Sequence, residues 1–334
     1  MPFLERFVSA GASACEFHFL RFWPRWLAAA ALAAALAGGY AFLLAPPAAF
    51  PTGDIVVISR GATALDVARE LAGARVIAHP SVLRLLLRVS GRGSAVQAGP
   101  YRFGVPENAL TVAYRLVAGV YGLPPTRLTF VEGATVRDMA AQVASAFPDI
   151  SAADFVGAGQ PYEGYLFPDT YLFPPSADAS SIVAALRANF DAKTAPLAPS
   201  IAASGHPLAD IVTMASLVEK EARTSADKRI VAGILWNRIR LGMPLQVDAV
   251  FGYIYGRDTY SPSYADLGVD SPYNTYTHKG LPPGPIDNPG LDSLDAAARP
   301  AKTNYLFYLT GTDGRMHYAT TLAGHNRNRA LYLR

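Results

Sequence analysis

The triplet Glu219-Lys220-Glu221, inside the run DIVTMASLVEKEAR, carries two carboxylates on a segment of helical periodicity, either of which could do acid–base chemistry. Ile211, Ala215, Val218 and Ala222 recur at helical spacing, so one stripe of this segment faces a core. At about 100° per residue the two glutamates fall on opposite flanks of that stripe, and Lys220 points directly away from it. They are therefore not a same-face pair. A carboxyl bordering the buried surface loses hydration, keeps its proton nearer neutral pH and acts as a general acid. Glycoside cleavage needs such an acid to protonate the leaving oxygen. Spacing alone favours the plainer reading, in which both are solvated flank residues.

Other chemistries find little support. The six histidines have no H-E-x-x-H or comparable spacing, and His325-Asn326 reads as a hydrogen-bonded loop near the C-terminus. Gly61, Gly133 and Gly164 have no phosphate-loop context, so neither a metal nor a nucleotide cofactor is expected. A net charge of +3 without a basic stripe argues against nucleic acid as a partner. The single cysteine, Cys15, precedes an apolar segment, and the cysteine-free remainder suits an oxidising compartment.

The elements that must position these groups begin with a membrane anchor. From Trp26 to Gly53 there is no charged residue, and residues 26–45 match the roughly 20 a spanning helix needs. Arg6, Arg21 and Arg25 precede this stretch, and no Lys or Arg follows until Arg60. The positive-inside rule then places a tail, residues 1–25, in the cytoplasm and the bulk of the chain outside. Trp23, Trp26 and Tyr40 mark the two interfaces. The stretch is longer than a signal-peptide core and runs into Pro46-Pro47, which favours an uncleaved anchor over a cleaved signal or a buried Ala-rich helix. Residues 46–53 form a linker.

Beyond it, DIVVISRGATALDVARELA and RLTFVEGATVRDMAAQVA align with Gly61 over Gly133. Each is a short β-rich run, a Gly-Ala-Thr turn, and a helix start in which Thr63 or Thr135 caps and Asp66 or Asp138 sits in the first turn. Chance convergence on a common strand–turn–helix unit accounts for this as well as duplication does. A second helix is predicted over 81–89 and a strand over 98–103. GVYGLPPTR, residues 119–127, marks a boundary, which gives a module at 54–125 and a larger domain at 126–334. In the latter, helices are predicted over 136–147, 181–189, 208–223 and 228–241. Beyond Gly242 the Pro, Gly, Asn and Tyr content predicts loops and short strands. The fold class is α+β, with a helix-borne Glu beside a loop-rich groove.

Two resemblances sharpen this. The first module resembles the LysM pattern, which implies binding to N-acetylglucosamine-containing glycans. ASLVEKEA, VAGILWNRIRLGMPLQVDAVFGYIYG, SPYNTYTHKGLPPGPIDNPG, RPAKTNYLFYL and HYATTLAGHN, with EGYLFPDTYLF upstream, together resemble the MltG/YceG-like endolytic murein transglycosylases. The match runs in order from about residue 127 to 334.

That resemblance implies Glu219 as the catalytic residue and leaves Glu221 a structural or helper role. It also implies a glycan groove drawn from Glu163, Tyr165, Asp169, Tyr171, Gln246, Asp248, Asn274 and Tyr276. Gln and Asn supply donor and acceptor together for acetamido and hydroxyl groups, and Tyr supplies a ring face with a polar tip. Asn274 and Tyr276 alternate about Thr275 and would share a face of an extended segment. The plainer readings are a rigid turn with an aromatic core cluster for LFPDTYLFPP, a bracing loop for LPPGPIDNPG, and a turn brace for Asp248.

The implied activity is non-hydrolytic cleavage of the bond between N-acetylmuramic acid and N-acetylglucosamine. One carboxyl performs both proton transfers, the sugar's own C6 hydroxyl attacks, and a 1,6-anhydromuramic end results. The implied setting is the bacterial inner membrane with the catalytic domain in the periplasm. There the enzyme would act on nascent strands beside peptidoglycan synthases. A water-using muramidase, with Glu163 or Asp248 as base or nucleophile, and a non-catalytic glycan-binding scaffold are the alternatives.

Overall fold

The computed structural model describes residues 5–90, 96–257 and 260–333, with backbone alone for 5–22 and 24. The side chains of Arg6, Cys15 and Arg21 thus lie outside the described residues. The chain forms two compact units that meet at Pro124 and Pro125. The architecture is mixed α and β.

The first unit opens with α1 (Glu5–Leu43), 39 residues long, so the expected tail is largely helical too. Within it Arg25–Leu43 has mean hydropathy 1.7 and no cover from the rest of the described chain. Among the described residues it is the one helix long and apolar enough by itself to cross a membrane. Then come β1 (Ile55–Ile58), α2 (Ala64–Gly73), α3 (Pro80–Val89), β2 (Gly99–Arg102) and α4 (Ala109–Ala118). β1 and β2 pair antiparallel, Ile55 opposite Arg102 and Ile58 opposite Gly99. Leu71, Leu83, Leu87, Tyr101, Phe103 and Leu116 close the core beneath them. The residues expected as a linker are packed: Gly53 donates to the Phe103 carbonyl (2.8 Å), and Phe50 meets the Phe103 ring edge-on at 5.7 Å. The end of α1 is tied in as well. Ala109 N–H donates to the Leu44 carbonyl (2.9 Å), and Phe42 lies 4.8 Å from His79.

The second unit starts by repeating the pattern with β3 (Thr126–Thr129), α5 (Val136–Ala146), α6 (Ala152–Gly159) and β4 (Thr170–Phe173). β3 and β4 again pair antiparallel. The caps behave alike in both copies. Asp66 N–H donates to Thr63 Oγ1 (3.3 Å) while Thr63 N–H donates back to Asp66 (3.1 Å). The Thr135–Asp138 pair exchanges the same two bonds at 3.2 and 2.9 Å. Two orphan first-turn donors are thereby satisfied in each helix.

Then follow α7 (Ala179–Thr194), α8 (Ala198–Ser204), α9 (Leu208–Glu221), α10 (Ser225–Arg240), α11 (Ala249–Tyr255), α12 (Leu291–Ala298), the hairpin of β5 (Phe307–Thr310) and β6 (Met316–Ala319), and α13 (Leu322–Tyr332). Among the described residues beyond Gly242 there are thus three α-helices besides the loops and short strands that were expected. α12 carries no polar stripe to betray it, because every residue from Ser293 to Ala298 is buried. α9 departs from expectation similarly. Instead of one core-facing stripe, every residue from Ile211 to Val218 is buried, and the helix leaves the core at its first residues and again in its last turn.

Candidate active site

That last turn holds Glu219, Lys220 and Glu221, each sent in a different direction by the 100° step. The negative end of the helix dipole disfavours carboxylates here, so each glutamate needs compensation or a proton. The two find different solutions.

Glu219 is enclosed. Its Oε1 accepts from Lys228 Nζ of α10 at 3.0 Å, with the two side chains 9% and 5% exposed. Its Oε2 accepts from Gly290 N–H (3.0 Å) and Ser293 Oγ (2.7 Å) at the start of α12. Gly290 also leaves room for a second carboxylate: a Cβ there would stand 2.0 Å from Glu132 Oε1. Lys228 also reaches Asp292 at 3.8 Å. Partial burial and the charge of Glu219 push the nearby Glu132 carboxyl above its ordinary range, and Lys228 tempers the shift. Glu219, expected as the catalytic acid, thus accepts from three donors, one on Oε1 and two on Oε2, and ties α9 to α10 and to the start of α12.

Glu221 faces a cavity of about 600 Å³, a size typical of small-ligand sites. Gln246, Asp248, Tyr276 and Tyr308 line it with Glu221. Burial pushes the Glu221 carboxyl up to about 7. A hydrogen bond from Tyr308 and the Arg238 guanidinium oppose the shift, while Asp248 adds to it. Tyr276 donates to Asp248 and so fixes both groups. Arg238 is braced by donating to the Leu306 and Leu245 carbonyls, each at 2.7 Å. Gln246 has a left-handed backbone, φ 53°, unusual for a residue with a side chain and a strain often found at functional positions. Thr275 holds that turn: its carbonyl accepts from Gln246 N–H (3.1 Å) and its hydroxyl from Val247 N–H (2.9 Å).

Of the eight expected groove residues, Gln246, Asp248 and Tyr276 line this cavity and the others do not. Asn274 is buried, with its amide donating to the Leu267 and Val269 carbonyls (3.0 and 2.9 Å) and its oxygen accepting from Tyr276 N–H (3.0 Å). Residues 272–277 turn instead of extending, so Asn274 and Tyr276 do not alternate on one face. Glu163 accepts from Val136 N–H (3.0 Å) at the start of α5 and from Asn288 Nδ2 (2.9 Å). Burial pushes it up to about 7. Tyr165 packs edge-on against Phe190 at 5.1 Å beneath Arg187. Asp169 accepts from Asn189 (3.2 Å) and meets Lys193 (3.3 Å), and Tyr171 donates to the Phe167 carbonyl (2.6 Å). The EGYLFPDTY loop is thus a joint of the fold, in line with its plainer reading. In the bracing loop, fully buried Asp287 has no hydrogen-bond partner on either oxygen, and burial holds its pKa well above the carboxylate range.

The rest of the lining was not expected. Phe307, Tyr308, His325, Asn326 and Arg329 reach the cavity from β5 and α13. His325-Asn326 is therefore helical, not a loop: Thr321 caps α13 by accepting from Gly324 N–H at 3.1 Å. The Thr321 cap was the available signal. A separate cavity of about 550 Å³ lies in the first unit, at the Gly61-Ala62-Thr63 turn.

The profile described as the YceG-like family matches residues 56–331 of this chain. An endolytic murein transglycosylase of Bacillus subtilis (strain 168) is 30% identical over 303 residues, 83% of this chain and 84% of that protein. An endolytic murein transglycosylase of Streptococcus pneumoniae (serotype 2, strain D39) is 35% identical over 183 residues, 53% of this chain but 33% of its own length. The crystal structure of a YceG-like protein from Listeria monocytogenes superposes with a TM-score of 0.57 at 28% identity, covering 82% of this chain and 98% of that one.

Proposed function

The chain belongs to the YceG-like family, and from that premise we propose that it is a murein lytic transglycosylase whose proton-transfer residue is Glu221. The observation that carries this is the convergence of a carboxyl held near 7 with Gln246, Asp248, Tyr276 and Tyr308 on one cavity. A carboxyl near 7 is part-protonated at neutral pH and can both give and take a proton.

Glu221 gives its proton to the oxygen linking N-acetylmuramic acid to N-acetylglucosamine, and the bond from that oxygen to the muramyl C1 breaks. The resulting carboxylate takes the proton of the muramyl C6 hydroxyl as O6 bonds to C1. The products are a 1,6-anhydromuramic end and a free 4-hydroxyl on the next sugar, and Glu221 regains its proton. Because the nucleophile belongs to the substrate, no bound water has to be ordered. Tyr308 steadies the carboxylate form between the two transfers, and Gln246 offers an amide to sugar hydroxyl or acetamido groups.

Asp248 favours one second reading. It is a carboxylate on the same cavity, and carboxylate pairs activate water or form glycosyl intermediates in hydrolases. Mass spectrometry of digested peptidoglycan separates the two: anhydromuramic ends support the transglycosylase, and reducing ends overturn it.

We further propose that α1 anchors the chain in the inner membrane, with its N-terminus cytoplasmic and both units outside, where nascent strands and their synthases lie. A periplasm-active reporter fused after Arg334 should be on, and a dark one refutes the orientation. The strand–helix–helix–strand order of 55–102 and its cavity at the Gly61 turn support a LysM-like glycan-binding role for the first unit. Loss of chitin-oligosaccharide binding by Thr63→Trp, with the fold kept, would bear this out; unaltered binding would count against it.

A further inference from the structure

The cavity at Glu221 has two chemically different walls. One carries Glu221, Asp248 and the phenols of Tyr276 and Tyr308, groups suited to a neutral sugar and its proton transfer. The other is made by α13 and carries His325, Asn326 and Arg329. A neutral glycan needs no cation there, yet two guanidiniums lie near enough to His325 to act with burial in holding its pKa down. They differ in availability. Arg238 is buried and commits two of its donors to the Leu306 and Leu245 carbonyls. Arg329, one helical turn beyond His325, is exposed and makes no ion pair among the described residues. Beside it the His325 ring stacks on Phe307 at 5.5 Å, and its Nδ1 is buried without a hydrogen-bond partner. A planar fork of donors and an unmatched ring nitrogen on the wall of a cavity form an incomplete hydrogen-bonding set, and a carboxylate completes it.

We infer that α13 builds an anion subsite in this cavity, with Arg329 as its charged contact, that reads a carboxylate carried on the muramyl residue of the substrate. This rests on the reading that the Glu221 cavity holds glycan strands. Of the two alternating sugars, the muramyl one bears a lactyl arm. That arm ends in a carboxylate when bare, or continues into a stem peptide that has carboxylates of its own. Both sources present the same chemistry to a guanidinium. The subsite therefore selects muramyl-containing strands over uncharged N-acetylglucosamine polymers and sets which sugar lies next to Glu221.

The test measures binding by full-length Glu221→Gln protein, with and without Arg329→Gln, to three probes. These are peptide-bearing glycan strands, amidase-stripped strands with free lactyl carboxylates, and chitin oligosaccharides. Arg329→Gln should weaken binding to muramyl strands about tenfold or more, the scale of one charge-assisted contact, and leave chitin oligosaccharides unaffected. A loss confined to peptide-bearing strands places the carboxylate on the stem peptide, and a loss on stripped strands as well places it on the lactyl arm. In the cutting enzyme, Arg329→Gln should raise KM with kcat kept, and Arg329→Lys should recover part of the loss. Equal weakening on all three probes, or none on any, overturns the subsite. If Glu221→Gln protein still cuts, the catalytic reading fails instead, a result distinct from either outcome with Arg329.

Discussion

The two flanks of the last turn of α9 hold the same side chain in opposite surroundings. On one, Glu219 is surrounded by Lys228, Gly290 and Ser293, and each carboxylate oxygen has a donor. On the other, Glu221 shares an open cavity with one phenol bonded to it and another carboxylate nearby. Two residues of one helix thus divide the work. Glu219 ties α9 to α10 and to the start of α12, while burial keeps Glu221 close to its proton. Desolvation acts on both, and what separates them is how much of the lost hydration the protein replaces.

Breaking the open flank should have the largest effect. Glu221→Gln should lower cutting by roughly a thousandfold, within the range general acid–base groups contribute, with melting temperature held. A variant that cuts normally would collapse the distinction between the flanks. Breaking the closed flank should instead cost stability. Glu219→Ala takes the 3.0 Å partner from the Lys228 ammonium, which is 5% exposed, and leaves it the 3.8 Å contact with Asp292; it should destabilise by about 3 kcal/mol. Denaturant unfolding should show Glu219→Ala with Lys228→Met recovering much of that loss, since no buried charge is then left alone.

A finer probe is pH. Glu221 must be protonated to start the reaction, so kcat/KM should fall as pH rises through about 7. The Tyr308 hydrogen bond favours the ionised form, so Tyr308→Phe should move that limb to higher pH, by about a unit or less. A downward move would contradict the assigned bond. The smallest effect belongs to the rim of the closed flank. Asp292→Asn removes a 3.8 Å contact from a side chain 41% exposed and should change unfolding free energy by under about 1 kcal/mol.

The sequence disclosed what is local. The uncharged run up to Gly53 marks α1, and Gly-Ala-Thr followed by Asp announces two capped helices whose hydrogen bonds match within a few tenths of an ångström. It could not separate Glu219 from Glu221, because symmetry about the apolar stripe is all that α9 itself contains. What distinguishes them arrives from Lys228 and Ser293 on one side and from Tyr308 on the other, up to some ninety residues away. The same blindness affected Glu163 and Asn274, whose polar groups suit a sugar but are consumed by backbone amides and carbonyls remote in sequence or hidden in a turn. The repeated turn makes the point again. At Gly61 it borders a cavity, whereas at Gly133 and Ala134 it is filled by Asn288, through bonds of 2.9 and 3.0 Å.

The bond from Ala109 to Leu44 and the contact of Phe42 with His79 make the end of α1 part of the first unit's own fold. A module on a loose tether samples a volume that grows with tether length. One seated on its anchor has a single address above the bilayer once α1 is embedded as proposed. Embedding α1 as proposed would therefore fix the height of the first unit over the membrane.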